Sequence, residues 1–242
     1  MSVRAYLFGI AFLVAALVAL EATRPRPLDM TIRLERSGSA PFDAEVFFES
    51  LPEWLGQPVT AVGVTPFERL EDSSVTGQTY LFLSQTFAPD PVEAERLLAF
   101  VARGNTVFVA AQDIEGAFAD TLGRPDPDWG ATGISTRYPN TIFDPFGDDL
   151  GGDTLRLVSP GVEGVYAFPV NVRRRRLVGL DAGRSEVLGA GLDASEPTLA
   201  RISWGEGDVI VSATPVAFTN AALTGEGQAP AYVAAVLAAL PD

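Results

Sequence analysis

Residues 80–111, YLFLSQTFAPDPVEAERLLAFVARGNTVFVAA, decide the fold of this chain. Residues 80–83 and 106–110 are short apolar runs, as expected of strands that are buried on both faces of a parallel sheet. Between them, residues 91–101 predict a helix, which Gly104 terminates. A strand, a helix and a strand at this spacing predict a right-handed crossover between parallel neighbouring strands, with the helix packed on one face.

The rest of the chain predicts short strands and helices around this unit. Helices are predicted at residues 41–55, 114–122 and 229–240, and strands at residues 31–34, 58–64, 165–168, 177–180 and 187–188. Residues 201–204 and 209–212 predict a hairpin. Residues 123–160, rich in Gly, Pro and Asp, predict an irregular excursion. The pattern predicts an α/β domain with an open, mostly parallel sheet and added short strands in the C-terminal half.

Composition excludes most familiar enzyme chemistry. The chain has 242 residues, of which 31 are acidic and 17 basic, and its formal net charge is −14. All the basic residues are arginine, and Cys, His and Lys are absent from the sequence. This inventory excludes zinc fingers, iron–sulfur ligation, Cys–His and Ser–His catalysis and Schiff-base chemistry. We therefore expect no enzyme activity and no cofactor, and the negative charge argues against a nucleic-acid partner.

The N-terminal residues predict a membrane segment. Residues 5–20, AYLFGIAFLVAALVAL, carry no charge and are flanked by charged residues. The boundary lacks the small residues of a cleavage site, so we expect an uncleaved single-pass anchor over residues 1–23, with a removed signal peptide as the alternative. Residues 24–28 predict an extended Pro/Arg linker to a single domain over residues 29–242. We expect that domain to be extracytoplasmic, at the cell membrane, with envelope or membrane proteins as partners.

Polar residues follow three of the predicted apolar strands. Ligands of open α/β sheets sit beyond the carboxyl ends of the strands, where such side chains can converge. The candidate ligand-binding rim consists of Ser84, Gln85, Gln112, Asp113, Thr214 and Asn220. Helix capping and turn formation are the alternative roles of these residues.

A run of consecutive arginines is a candidate anion contact. It consists of Arg173, Arg174, Arg175 and Arg176. Such a density of cations can bind phosphate, anionic lipid or an acidic partner surface. On a strand, alternate side chains would face opposite ways, so at most two would share a ligand. An internal network with the abundant carboxylates is the alternative.

A serine nucleophile and a calcium site are two further candidate functions, and the residues of each also have a simpler role. Ser84 could act as a nucleophile only with a carboxylate base, which is weak at neutral pH unless it is buried, and a turn-forming hydroxyl is the alternative. Asp144, Asp148, Asp149 and Asp153 cluster as calcium ligands would, but their spacing is not that of an EF-hand loop, and a solvated acidic loop is the alternative. We assign no catalytic residue and no metal ligand.

Several stretches in a fixed order carry a family resemblance. They are residues 80–83 (YLFL), 87–91 (FAPDP), 97–111 (LLAFVARGNTVFVAA), 120–123 (DTLG), 204–209 (WGEGDV), 215–220 (PVAFTN) and 232–241 (YVAAVLAALP). Together they resemble the bacterial family catalogued as domain of unknown function 4350. The resemblance implies a membrane-attached domain similar to the class I glutamine amidotransferase or flavodoxin-like fold, without an assigned reaction. The Cys and His that a glutaminase needs are missing from this sequence, so classical glutaminase activity is excluded.

The sequence thus predicts a membrane-anchored, non-catalytic α/β domain that binds a protein partner or a small ligand in a cell-envelope complex. A hydrolase that uses carboxylates or Ser84 is one alternative, and a structural spacer is another. Carboxylates within hydrogen-bonding reach of Ser84 in a closed pocket would favour the hydrolase. An exposed apolar patch without such a pocket would favour partner binding.

Overall fold

A seven-stranded sheet lies at the centre of the protein, in a computed structural model that describes residues 3–23, 29–70, 74–128, 130–137, 152–172, 175–191 and 196–240. The strands are β1 (Thr79–Phe87), β2 (Thr106–Ile114), β3 (Ser135–Arg137), β4 (Asp153–Leu157), β5 (Gly164–Phe168), β6 (Arg176–Val178), β7 (Ser185–Ala190), β8 (Pro197–Trp204) and β9 (Gly207–Ser212). The helices are α1 (Val3–Thr23), α2 (Glu45–Leu55), α3 (Pro66–Arg69), α4 (Pro91–Ala102), α5 (Ala117–Leu122), α6 (Asn220–Thr224), α7 (Ala229–Ala238) and a 3₁₀ helix (Pro215–Phe218). The order in the large sheet is β1-β2-β9-β8-β7-β4-β5, and β3 and β6 form a second, two-stranded sheet.

The predicted crossover between β1 and β2 is confirmed. The two strands are parallel neighbours, with Tyr80 opposite Val107. The connecting helix α4 begins after Asp90, whose carboxylate accepts hydrogen bonds from the backbone N–H groups of Val92 and Glu93, each at 2.8 Å. Such an N-terminal cap satisfies backbone donors that have no partner inside the helix.

Asn105 fixes the turn from α4 into β2. Its side-chain oxygen accepts the Gln78 N–H at 2.9 Å, and its side-chain nitrogen donates to the carbonyls of Val75 at 2.9 Å and Phe100 at 2.8 Å. The residue is 1% exposed. One buried amide therefore joins the end of α4 to the segment that leads into β1.

The expected mostly parallel sheet is wrong, because the sheet is mixed. Only the neighbouring pairs β1–β2 and β2–β9 are parallel, whereas β9, β8, β7, β4 and β5 form successive antiparallel pairs. The connections explain this, since β8 reaches β9 through a tight turn at Gly205, where φ is 62°. A turn this short can join only antiparallel strands, so the predicted 201–212 hairpin forms. With four antiparallel pairs and two parallel ones, the sheet is not the mostly parallel, amidotransferase- or flavodoxin-like sheet that was predicted.

Both faces of the large sheet are covered. Side chains alternate along β2, so Phe108 and Ala110 enter one core and Val107 and Val109 enter the other. The first core includes α2, α6, α7 and the 3₁₀ helix, and the second includes α4 and α5. β2 is buried along most of its length, as predicted. β1 differs from the prediction, because it lies at the sheet edge and its apolar side chains are mostly half-buried.

Two predicted strands do not form. Residues 31–34 end at Leu34, which has a left-handed backbone with a φ of 60° and donates its N–H to the carbonyl of Phe42 at 3.1 Å. Such a backbone interrupts an extended strand. Residues 58–64 are almost entirely exposed, so their apolar pattern has no core to pack against.

Two helices begin later than predicted. Residues 41–44 form a turn before α2, in which the Asp43 carboxylate accepts the Ala40 N–H at 3.1 Å. α5 begins at Ala117 because β2 continues as far as Ile114.

The N-terminal helix α1 has large apolar side chains that are exposed, among them Phe8 and Phe12. Within the described ranges, the structure contains no helix that is both long enough and apolar enough to cross a membrane. The predicted transmembrane helix is therefore wrong. At ~1.5 Å per residue, the uncharged run 5–20 falls short of the ~30 Å hydrocarbon core of a bilayer.

Candidate functional site

The carboxyl ends of β1, β2 and β9 lie at one edge of the sheet, because the three strands are parallel. β9 stops at Ser212, opposite Ala110, whereas β2 continues to Ile114 and β1 continues beside it. Gln85 on β1 is exposed, and Gln112 on β2 is half-buried. The structure therefore brings the first two predicted parts of the rim together on adjacent strands.

Asp113 and Arg175 form an ion pair at this edge. Arg175 Nη1 lies 2.6 Å from Asp113 Oδ1, and the side chains are 17% and 41% exposed. Asp113 of the candidate rim is thus paired with Arg175 of the arginine run. This ion pair agrees with the alternative role of Arg175 in an internal network with carboxylates. Arg173 and Arg174 lie outside the described residues.

The two-stranded sheet β3–β6 attaches to the same edge. The Thr136 hydroxyl, on β3, donates to the backbone carbonyl of Gln112. Thr136 is 1% exposed and pairs with Leu177 of β6. The β3–β6 pair therefore covers the end of β2, where a doubly wound sheet would leave a crevice for a ligand.

Asn220 binds the segment that precedes α2. Its side-chain nitrogen donates to the carbonyls of Gly38 and Ala40, each at 2.9 Å, and its side-chain oxygen accepts the Val46 N–H at 3.0 Å. Its own N–H donates to the carbonyl of Asp43 at 2.8 Å. These bonds are structural, as in the turn and capping alternative for this residue.

Thr214 belongs to a buried polar group beyond β9. The hydroxyls of Ser212 and Thr214 are 3.1 Å apart, and both residues are fully buried. The Tyr232 hydroxyl, on α7, is buried and has no hydrogen-bond partner among the described residues. Burial raises the pKa of Tyr232 to about 12, and the Thr214 side chain partly offsets this shift. This buried polar group was not predicted, although Tyr232 is the one side chain with a polar tip in the otherwise aliphatic helix α7.

The Ser84 hydroxyl is bonded to no carboxylate base among the described residues. Its hydroxyl oxygen is buried and has no hydrogen-bond partner in the part of the chain that the structure describes. Ser84 lies opposite Ala111 in the middle of the β1–β2 pair rather than at a turn. A buried hydroxyl without an acceptor for its proton is a poor nucleophile.

An apolar groove lies between α4, α5 and the end of β8. Its volume is about 370 Å³, and it opens widely to solvent. Small and apolar side chains line it, among them Leu98, Ala99 and Ala102 of α4, Ala117 of α5 and Trp204 of β8. This feature was not predicted, because it requires the end of β8 to lie beside α4 and α5.

A second, more polar groove includes Arg176. Its volume is about 500 Å³, and Arg124, Asp126 and Asp128 also line it. Arg176 pairs with Arg137 across the β3–β6 sheet. Cations and carboxylates therefore share this groove, and the arginine run does not form one uniformly positive surface among the described residues.

The acidic cluster falls mainly outside the described residues, which exclude Asp144, Asp148 and Asp149. Asp153 begins β4, and its carboxylate accepts the Thr154 N–H at 2.7 Å. Within the described ranges, no group of three or more His, Cys, Asp or Glu side chains is placed to hold a metal ion.

The fold and the covered edge define a class of protein: a mixed-sheet α/β domain whose parallel strand ends are occupied by its own side chains. Within that class, this chain belongs to the family described as Domain of unknown function (DUF4350), which matches residues 39–237. The matched residues include every strand of the large sheet. No curated protein matches the chain.

Several solved structures are similar to this chain at low identity. The mmIFT52 N-terminal domain has a TM-score of 0.50 and 13% identity, covering 78% of this chain and 87% of that one. Exo-beta-1,4-mannosidase Op5Man5 from Opitutaceae bacterium strain TAV5 has a TM-score of 0.43 and 16% identity, covering 90% and 35%. The beta-galactosidase from Bacillus circulans sp. alkalophilus has a TM-score of 0.36 and 17% identity, covering 64% and 23%. The first likeness concerns the fold alone.

Proposed function

We propose that this chain is a non-catalytic interaction domain that binds a protein partner at the groove between α4, α5 and Trp204. The observation that carries the proposal is the groove itself, which is apolar and open to solvent. Open apolar surfaces of this kind suit protein partners, whereas enzyme sites enclose a substrate among converging polar groups. The isolated Ser84 hydroxyl supports the same choice against a serine hydrolase.

The partner's chemistry follows from the lining and from the charge of the chain. Leu98 and Trp204 offer apolar contact, and the alanines leave room for a large side chain. Glu95 lines the groove, and the whole chain has a net charge of −14. A partner segment with a large apolar side chain flanked by basic residues complements both features.

A matched pair of substitutions tests the proposal. Ala99 is exposed on the wall of the groove and Ala234 is exposed on α7, so Ala99→Arg and Ala234→Arg add the same side chain at two exposed helical positions. We would cross-link the full chain in its native cells and quantify captured proteins by mass spectrometry. The proposal expects at least one protein to be captured by the wild type and Ala234→Arg but strongly depleted with Ala99→Arg. Equal capture by all three chains would contradict it.

A further inference from the structure

No strand among the described residues pairs with the outer edge of β1. β1 has nine residues and lies at one end of the large sheet. Within the described residues, its backbone bonds only to β2 and the residue that follows β2. Roughly half of the N–H and C=O groups of an edge strand point away from its neighbour, so these groups are available to another strand.

Part of the opposite edge of the same sheet is covered by the chain itself. At β5, the Gln228 side-chain oxygen accepts the Ala167 N–H at 3.1 Å, and the Gln228 N–H donates to the Ala167 carbonyl at 2.8 Å. A Cβ at Gly227 would lie 2.9 Å from the same carbonyl oxygen, so the covering segment approaches β5 closely. Pro169, directly after β5, offers no N–H donor.

β1 lacks the features that keep edge strands from pairing. Its sequence, TYLFLSQTF, contains no charged residue, no proline and no glycine. Natural edge strands are usually protected by charges, prolines, bulges or covering segments. Leu81 and Leu83 pack against one core and Tyr80 and Phe82 against the other, and all four are half-buried at this edge of the sheet.

We propose that β1 pairs antiparallel with β1 of a second copy of this chain, which joins two seven-stranded sheets into one continuous sheet. In such a two-fold pair, β1 of one copy lies beside β1 of the other. A charged residue on β1 would then face a like charge, or only some registers would avoid that contact. β1 has none, although the chain as a whole has a net charge of −14. Burial raises the pKa of Tyr80, while Arg69 lowers it and Glu93 raises it, so charges of both signs lie near this end of the strand.

Pairing also completes both cores. On each face, the half-buried apolar side chains of one copy would contact those of the other. The apolar burial and the new backbone bonds act together, as in other cases of strand addition. The α4 groove lies away from this edge and is not needed for the pairing.

The first test measures mass. Analytical ultracentrifugation of the full chain, in a nonionic detergent that covers the exposed side chains of α1, should give a dimer. Gln85 and Thr86 are exposed on β1, so Gln85→Lys/Thr86→Lys adds edge charges without entering the core. Gln57→Lys/Thr60→Lys makes the same changes at exposed positions between α2 and α3. We expect the first variant to be monomeric and the second to remain dimeric. A monomeric wild type, or dimers of all three chains, overturns the proposal.

The second test identifies the strand that pairs. The chain contains no cysteine, so a single introduced cysteine is its only thiol. In a two-fold antiparallel pair, one position near the middle of the strand meets its own copy. Among cysteine variants at each position from 81 to 85, we expect at least one to form a disulfide-linked dimer on mild oxidation. Val165→Cys, at an exposed position on the partly covered β5 edge, should remain monomeric on a non-reducing gel. Cross-linking only through Val165→Cys would contradict pairing at β1.

Discussion

Single buried polar side chains connect distant parts of this chain. Asn220 holds the turn before α2 from 174 residues away, and Asn105 joins the end of α4 to the segment before β1. Each side-chain amide forms hydrogen bonds with backbone N–H and C=O groups of helix ends and irregular segments. Both residues are buried, so we expect their removal to destabilise the protein more than removal of a polar residue at the surface.

Replacing Asn220 by alanine should destabilise the domain by about 3 kcal/mol, because it leaves the Val46 N–H and the carbonyls of Gly38 and Ala40 without their partner. Thr224→Ala, on the same helix, removes only a hydroxyl bond to the Asn220 carbonyl and should cost less than about 1 kcal/mol. Urea unfolding followed by circular dichroism measures both. Equal losses for the two variants would show that Asn220 has no special structural role.

Tyr232 should make stability fall at high pH. Its pKa is about 12 in the folded protein and about 10 when unfolded, so the unfolded chain loses this proton first. The contribution is fully present below pH 10 and is lost between pH 10 and 12, at about 1.4 kcal/mol per pH unit. The comparison is the free energy of unfolding of the wild type and Tyr232→Phe at pH 8, 10 and 11. The difference between them should change only above pH 10, and a constant difference would contradict the shift.

Among the elements, helix α4 has the predicted buried face, but one of its apolar residues is exposed. Leu97, Leu98, Phe100 and Val101 are buried in the second core, as the apolar pattern of the helix predicts, and Ala94 is buried with them. The apolar side chain of Val92, in contrast, is 54% exposed. Val92 lies in the first turn of α4, outside the row of buried residues.

The two positions give a direct comparison of helix faces. Leu98→Asp would place an unpaired carboxylate against the second core and should cost more than about 3 kcal/mol. Val92→Asp adds the same group in the exposed first turn and should change stability by less than about 0.5 kcal/mol. Thermal unfolding of both variants checks this. Similar melting temperatures would mean that α4 does not pack as described.

For the molecule as a whole, the excess of carboxylates opposes compaction. The chain has a net charge of −14, and ion pairs such as Arg201–Glu186 are partly exposed. Exposed pairs contribute about 0–1 kcal/mol each, so repulsion among unpaired carboxylates is the larger electrostatic effect.

Salt should therefore stabilise the folded chain. Raising NaCl from 0.05 to 0.5 M shortens the Debye length from about 14 Å to about 4 Å and screens the repulsion more than the short ion pairs. We expect the melting temperature to rise by about 2–4 °C, which corresponds to about 1 kcal/mol for a domain of this size. Differential scanning fluorimetry measures the change. A fall in melting temperature would mean that favourable ion pairs dominate.

The candidate site was less predictable than the fold around it. The ends of β1 and β2 were placed correctly beside each other, because a local crossover fixes their order. The roles of their polar residues were not, since Asp113 meets Arg175 across 62 positions of sequence and Thr136 reaches Gln112 from a separate sheet. The spacing of residues along the chain does not predict such long-range contacts.

The sequence alone determined the β1–α4–β2 crossover, the β8–β9 hairpin and the final helix, because short-range patterns and turn residues suffice for these elements. Tertiary structure decided that the sheet is mixed, that β1 lies at one edge while Gln228 covers part of the other, and that the groove beside Trp204 exists. These features depend on which strands pair at long range. A strand's apolar pattern predicts that it packs against a core, but it does not specify the direction or identity of the neighbouring strands, or whether one neighbour is missing, as at β1.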